Sequence, residues 1–385
     1  MRRQWMIVLM LALFVLTACA RMGVVPESIP PPAASATPVI EEPALSNPTP
    51  TQVDETATVP PAAMAPLLVA FTQEDSLWLW SEESGEARPL TGSAGIMDLE
   101  AADDGEIIAF RRGDGLWAIN RDGTNERELV SLAGQGSAVS SYGWVPGTHT
   151  LAFNTQRVSS GAGFFPNHDL HLVDANTLEI TELLLAGEGG NFHYSPDGRQ
   201  IAIVTPGRID LIDSDGTNRR PGVLTFTPPI TYGEAAHYAR PLWARDGSAL
   251  LVAVPPPDPF VSGDSTTIWR IPVDGSESTS EGTLQVAPFS GPALSPDMTR
   301  VVYLHSSNAG APPHELHVAQ LGNEPTVYHP EATAIIGWAP DGEHFIFEAG
   351  NDGTSNRLFL GRVGAEAVPL FDTGEMVIDL RWVDE

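Results

Sequence analysis

Tyr194-Ser195-Pro196-Asp197-Gly198-Arg199-Gln200-Ile201-Ala202-Ile203-Val204-Thr205-Pro206-Gly207-Arg208-Ile209-Asp210-Leu211-Ile212-Asp213-Ser214-Asp215-Gly216-Thr217-Asn218 alternates turns with short strands. Asp197-Gly198 suits a tight turn, because Asp bonds its own backbone and Gly accepts a left-handed φ. Residues 201–204 are an apolar, β-branched run of strand length, and residues 209–212 are a second. Asp215-Gly216 then returns the chain into a further strand.

The same pattern recurs through the second half of the chain. Trp338-Ala339-Pro340-Asp341-Gly342 precedes residues 345–347, and Trp243-Ala244-Arg245-Asp246-Gly247 precedes residues 250–254. Leu294-Ser295-Pro296-Asp297-Met298 precedes residues 301–304, and weaker copies occupy residues 101–105 and 144–148. The positions equivalent to Asp197 are 104, 147, 197, 246, 297 and 341, spaced by 43, 50, 49, 51 and 44. A further 44 residues reach Glu385, with Trp382 as the preceding aromatic, which predicts a seventh inner strand over residues 377–383. The rest of that blade lies in residues 67–71, 77–80 and 87–90. Repeats of this length, four short strands each, are the mark of a propeller. The predicted fold is all-β: a seven-bladed β-propeller over residues 67–385, closed by pairing of the N- and C-terminal strands. Such closure leaves no free edge at the seam.

The [Trp/Tyr]-Ser-Pro-Asp-Gly and Asp-Gly-Thr-Asn pieces resemble the TolB-type β-propeller repeat, a relative of WD-repeat propellers. The resemblance covers about 319 residues and implies the fold. It also implies a choice of roles: protein contact, peptide or sugar binding, or gating beside a hydrolase.

Ahead of the propeller, Arg2 and Arg3 precede an apolar run of about a dozen residues, too short to span a bilayer. The run ends in Leu16-Thr17-Ala18-Cys19, which resembles the lipobox of bacterial lipoproteins. Residues 1–18 are read as a signal peptide and Cys19, the only cysteine of the chain, as the acylated residue. Residues 19–66 follow as a linker, with eleven prolines between Val24 and Pro66 and no aromatic residue beyond Cys19. Such a composition cannot bury a core; extended, it would reach on the order of 100 Å. The expected location is the extracytoplasmic side of a bacterial membrane, in the cell envelope, with the lipid as the membrane contact.

Composition excludes several functions. The net charge is −29, and −31 without residues 1–18, which disfavours nucleic-acid partners. The 20 basic residues are all arginine, so lysine nucleophiles and Schiff bases are excluded. One cysteine allows no internal disulfide and no thiol cluster for metal. His168-Asp169-Leu170-His171 and His314-Glu315-Leu316-His317 look like metal pairs. However, His171 and His317 occupy the slot filled by Trp78, Trp117, Trp269 and Phe359 in other blades, a packing position. Asp213–Asn218 begins like a calcium loop, but Leu224 stands where the closing Glu would be. No cofactor, metal or catalytic residue is expected.

Two sets of residues remain as binding candidates. Six positions before each signature residue stand Asp98, Ser141, Asn191, Arg240, Gly291, Ile335 and Asp379, expected to open the inner strands and ring one channel mouth. Asp98 and Asp379 would lie in adjacent blades. The second set comes from long insertions at residues 156–167, 255–265 and 306–313 and from the 225–237 connection. Second-to-third-strand loops share one propeller face with the blade-to-blade connections. Arg157, Phe164, Phe165, Tyr232, His237, Arg240 and Phe260 are therefore expected to crowd one sector, and exposed aromatics beside arginine favour binding. The function expected is a non-catalytic, membrane-anchored module for a protein, peptide or glycan. The alternatives are an envelope-complex scaffold and a propeller glycosidase or lyase using channel-mouth carboxylates.

Overall fold

A computed structural model of the chain describes residues 67–73, 76–159, 163–231, 236–259, 265–288, 290–305, 314–350, 357–371 and 380–383. Cys19, the leader, the linker, Tyr232, Phe260 and Asp379 lie outside the described residues. All regular structure among the described residues is β, arranged in seven sheets.

Blade one contains β1 (Leu68–Gln73), β2 (Ser76–Ser81) and β3 (Glu86–Thr91). Blade two is β4 (Ile96–Ala101), β5 (Ile107–Arg112), β6 (Gly115–Asn120) and β7 (Arg127–Val130). Blade three is β8 (Ser137–Trp144), β9 (Thr150–Ser159), β10 (Gly163–Pro166), β11 (Leu170–Asp174) and β12 (Ile180–Leu184). Blade four is β13 (Asn191–Tyr194), β14 (Gln200–Thr205), β15 (Arg208–Asp213) and β16 (Arg220–Thr225). Blade five is β17 (Leu242–Trp243), β18 (Ala249–Val254), β19 (Thr266–Pro272) and β20 (Thr279–Leu284). Blade six is β21 (Ala293–Leu294), β22 (Arg300–His305), β23 (His314–Gln320) and β24 (Thr326–Ala332). Blade seven is β25 (Ala334–Trp338), β26 (His344–Ala349), β27 (Arg357–Arg362) and β28 (Val368–Phe371). The last strand, β29 (Leu380–Val383), joins blade one antiparallel to β1, with Leu68 opposite Val383 and Phe71 opposite Leu380.

The signature turns show why their residue types recur. Ser195 donates its hydroxyl to Asp197 Oδ1 at 2.7 Å and accepts the Gln200 N–H at 2.9 Å, while Asp197 also accepts the Arg199 N–H. Ser295, Asp297 and Arg300 repeat this in blade six. In the outer turns Asp122, Asp215 and Asp274 each accept both the N–H and the hydroxyl of the residue two places on. The start of the would-be calcium loop is thus occupied by its own turn, with Asn218 bonded to Asp213 at 2.7 Å.

The signature tryptophans tie blade to blade. The indole N–H of Trp144 reaches the Glu100 carbonyl at 3.1 Å, that of Trp243 the His193 carbonyl at 2.9 Å, and that of Trp338 the Ala293 carbonyl at 2.9 Å. Each acceptor lies on the inner strand of the preceding blade.

The second strands are apolar on both faces because each blade is sandwiched. Ile108 and Phe110 of β5 pack against Leu68, Leu77 and Leu79 of blade one. Ile107 and Ala109 pack against Val139, Leu151 and Phe153 of blade three. Likewise Ile201 and Ile203 face blade three, while Ala202 and Val204 face blade five. Alternate residues of a strand point to opposite faces, so a continuous apolar run is what a doubly covered strand requires.

Blade four makes its second-to-third connection with two residues, Pro206 and Gly207, between the paired Thr205 and Arg208. Gly207 has φ +77°, and a Cβ there would sit 2.6 Å from the Phe226 carbonyl oxygen. Blade three treats the same connection in the opposite way. The insertion read from sequence as a loop is largely ordered β: β9 runs on past β11 and pairs β10 on the edge it no longer shares with β11.

Candidate functional site

The β9–β10 hairpin, called the finger below, extends blade three past β11, with β8 still paired to β9 as far as Ser137 opposite Arg157. Phe164 pairs across strands with Val158 and Phe165 with Arg157. Neighbouring strand residues face opposite sides, yet Phe164 is 66% and Phe165 44% exposed, so the finger is uncovered on both faces. The Arg157 guanidinium carbon lies 5.9 Å from the Phe165 ring centre, a cation–π contact at a solvent-exposed position.

The finger is anchored where β9 changes partner. Asp169, buried at 5% exposure, accepts the Thr155 N–H at 2.7 Å and also the Thr155 hydroxyl. Asn167 donates to Thr155 Oγ1 at 2.8 Å. His171 Nε2 lies 3.2 Å from Asp169 Oδ2, and its ring stacks on Phe153 with centroids 5.2 Å apart. Burial alone would raise the Asp169 pKa; the bonds from His171 and Thr155 outweigh it and hold the carboxyl below its ordinary value. The Asp169 hydrogen bond in turn raises His171, against the opposing effect of burial. His317 is comparably occupied, stacked on His305 at 4.5 Å and bonded to Glu315 at 2.9 Å. Both histidines fill aromatic packing slots.

At the foot of the finger His168, with φ +51°, places Nε2 2.9 Å from the Tyr238 hydroxyl. This joins the blade-three insertion to the connection between blades four and five. That connection also touches the blade-five insertion, through the Ile230 N–H bonded to the Pro257 carbonyl at 2.8 Å. Next to Tyr238, His237 has a buried Nε2 with no hydrogen-bond partner. Burial, then the charge of Arg240, lowers its pKa. His193 on β13 is lowered to about 4 by the same two causes in the same order. Both imidazoles are neutral at pH 7, beside an exposed Arg240.

The column proposed to open the inner strands is not uniform. Asn191 begins β13 opposite Val204, half-buried. Arg240 and Gly291 each precede their strand by two residues, and Asp98 sits inside β4 at an irregularity with φ +50°. The Asp98 carboxylate is ion-paired to Arg111 of β5. Ser141 donates to Asn154 at 2.7 Å. The cause is strand length: the inner strands of blades five and six have only two residues each, so a fixed sequence offset does not mark one level of the channel.

A separate cleft of about 460 Å³ between blades three and four is lined by Glu188, Arg208, Asp210 and Arg219. Both of its arginines are spent on Asp210, while the Glu188 carboxylate accepts the Leu185 N–H. Asp210 accepts from Arg208 at 2.5 and 2.6 Å and from Arg219 at 2.9 Å.

His168, Tyr238 and His193 were missed from sequence as members of this region. His168 carried one signal, its place directly after the insertion. Tyr238 carried the same signal, directly after the 225–237 connection, and His193 carried none, because its neighbours come from another blade.

A seven-bladed β-propeller is the class this architecture defines. No protein-family model matches the chain, and no curated protein matches it in sequence. Among solved structures, an oligogalacturonate lyase in complex with manganese aligns at TM-score 0.58 and 18% identity, over 74% of this chain and 82% of that one. Oligogalacturonate lyase from Vibrio parahaemolyticus aligns at TM-score 0.59 and 13% identity, over 77% and 91%. TolB from Acinetobacter baumannii aligns at TM-score 0.45 and 14% identity, over 82% of both chains. At such identities the likeness to the lyases is one of fold.

Proposed function

We propose that the protein is a non-catalytic binding module: a propeller anchored through a lipid on Cys19 at the outer side of a bacterial membrane, taking a protein or glycan ligand on its long-loop face. The observation that carries the reading is the exposed finger of Arg157, Phe164 and Phe165. Exposed phenylalanines cost solubility unless they are covered in use, and aromatic residues with arginine dominate binding energy at interfaces. The unsatisfied Nε2 of His237 supports the same face, since a buried polar atom without a partner costs about 1–3 kcal/mol until a ligand or water meets it. The lyase or glycosidase alternative requires a carboxylate free for proton transfer, and Asp98 is held by Arg111. A Phe164→Ala, Phe165→Ala double variant, captured from solubilised membranes beside the wild type, tests the site. It is expected to stay folded and lose its partner; recovery of every wild-type partner removes the case. Fractionation of Cys19→Ser tests the anchor, which fails if a processed form still sediments with membranes.

A further inference from the structure

Blade two departs from the way its sister blades satisfy the signature aspartate. In blades four and six the serine two residues earlier donates to it, and in blade five Ser248, two residues later, donates to Asp246 at 2.6 Å. In blade seven His344 reaches Asp341 at 2.6 Å, while Glu343 is paired with Arg362 at 2.9 Å. Blade two carries Ala102 and Glu106 at the two hydroxyl positions. Asp104 therefore accepts only a backbone N–H from Glu106 at 3.0 Å and faces His149 Nε2, from blade three, at 2.8 Å. Glu106 brings a second carboxylate to the same point, and among the described residues no arginine pairs with it.

One ligand atom from each of Asp104, Glu106 and His149 lies within 4.8 Å of the other two. This is the one such group of three among the described residues. The imidazole is held from both sides: its ring meets Trp144 edge-on at 6.4 Å, and Nδ1 lies 3.5 Å from Asn176 Nδ2. Two carboxylates facing one imidazole leave more acceptors than donors, in a protein of net charge −29. A cation resolves the imbalance.

We propose that Asp104, Glu106 and His149 form a divalent-cation site of the zinc class at the seam of blades two and three, with water completing the coordination. A nitrogen and two carboxylate ligands suit zinc. Calcium, with six to eight oxygen ligands, and magnesium, reluctant to dehydrate, are poorly served by two carboxylates. The site lies at the start of β9 and joins that strand to the turn of blade two.

Calorimetric titration of the purified full chain with zinc chloride alone, with calcium and magnesium chloride in parallel, tests this. The expected result is one zinc bound per chain, weak or no calcium and magnesium binding, and a melting temperature raised by zinc. His149→Ala and Glu106→Gln are each expected to weaken zinc binding by about tenfold or more, in the range set by loss of even a supporting contact. His314→Ala should leave it unchanged. Glu106→Gln keeps the backbone N–H that Asp104 accepts, so it decides the matter if His149→Ala folds poorly. The proposal is overturned by a wild-type chain that binds no zinc, by calcium binding as tight as zinc, or by unaltered zinc affinity in a folded Glu106→Gln variant.

Discussion

His168 and Tyr238 stand 70 residues apart in sequence and meet through one contact, imidazole Nε2 to phenolic oxygen at 2.9 Å, with ring centres 6.1 Å apart. The contact fastens the foot of the exposed finger to the connection between blades four and five. Tyr238→Phe keeps the ring and removes the hydroxyl. It is expected to cost about 1 kcal/mol. Amide exchange is expected to quicken at residues 163–168 and 236–240 ahead of the rest of the propeller. Uniform exchange rates in the variant would show that the two segments are held independently.

The tryptophans divide into two kinds. Trp243 donates to the His193 carbonyl, whereas Trp78 Nε1 is buried without a partner. Trp243→Phe leaves an inner-strand carbonyl without this donor and is expected to destabilise by about 1–3 kcal/mol. Trp78→Phe removes an unsatisfied N–H and should cost less, only lost packing area. Denaturant melts of the two variants in parallel check the order; an equal or inverted cost contradicts the role assigned to the inter-blade bond.

Two histidines give opposite pH dependences. Stability rises with pH wherever the unfolded chain binds more protons than the folded one. His193 falls from 6.5 to about 4 on folding. Its contribution is therefore lost as pH drops from 6.5 toward 4, by up to about 3 kcal/mol at 1.36 kcal/mol per unit. His171 is raised above 6.5, so its contribution is complete below 6.5 and is lost as pH rises through the folded value. Asp169, lowered, adds stability above its ordinary 3.8 that disappears on further acidification. Melting temperature against pH is expected to lose part of its acid slope in His193→Gln and its slope just above pH 6.5 in His171→Phe. Profiles parallel to wild type would refute these assignments.

β29 supplies one edge of blade one and also lies against β4 of blade two. Removing residues 380–385 takes away the ladder from Leu68 to Phe71 and exposes the β1 edge. The expected outcome is loss of cooperative melting and concentration-dependent aggregation, as for an uncovered edge strand. A truncated chain that melts as a monomer at the wild-type temperature would show that the seam contributes little.

The sequence by itself determined the blades. Turn chemistry at Asp197-Gly198 and Asp215-Gly216, apolar runs such as Ile201–Val204, and a recurring interval are local signals. Six blades are built from neighbours in sequence, and the closure of β1 with β29 was legible because the interval carries one step past Asp341 to the end of the chain. Phe164 and Phe165 were legible as exposed candidates because a blade core has no place for an insertion. What only the tertiary structure decided depends on contacts between blades. Pairing of Phe165 with Arg157 turned an expected loop into a hairpin. The Arg111 pair took Asp98 out of the set of free carboxylates, and two-residue inner strands displaced Arg240 and Gly291 from the level their spacing implied. His149 met Asp104 across 45 residues, and Tyr238 met His168 across 70. The physical reason is common to all of these. A repeat specifies its own strands through short-range turns and periodicity, but the side chains at a seam are chosen by whichever residue the adjacent repeat presents there, and that pairing leaves no period in the sequence.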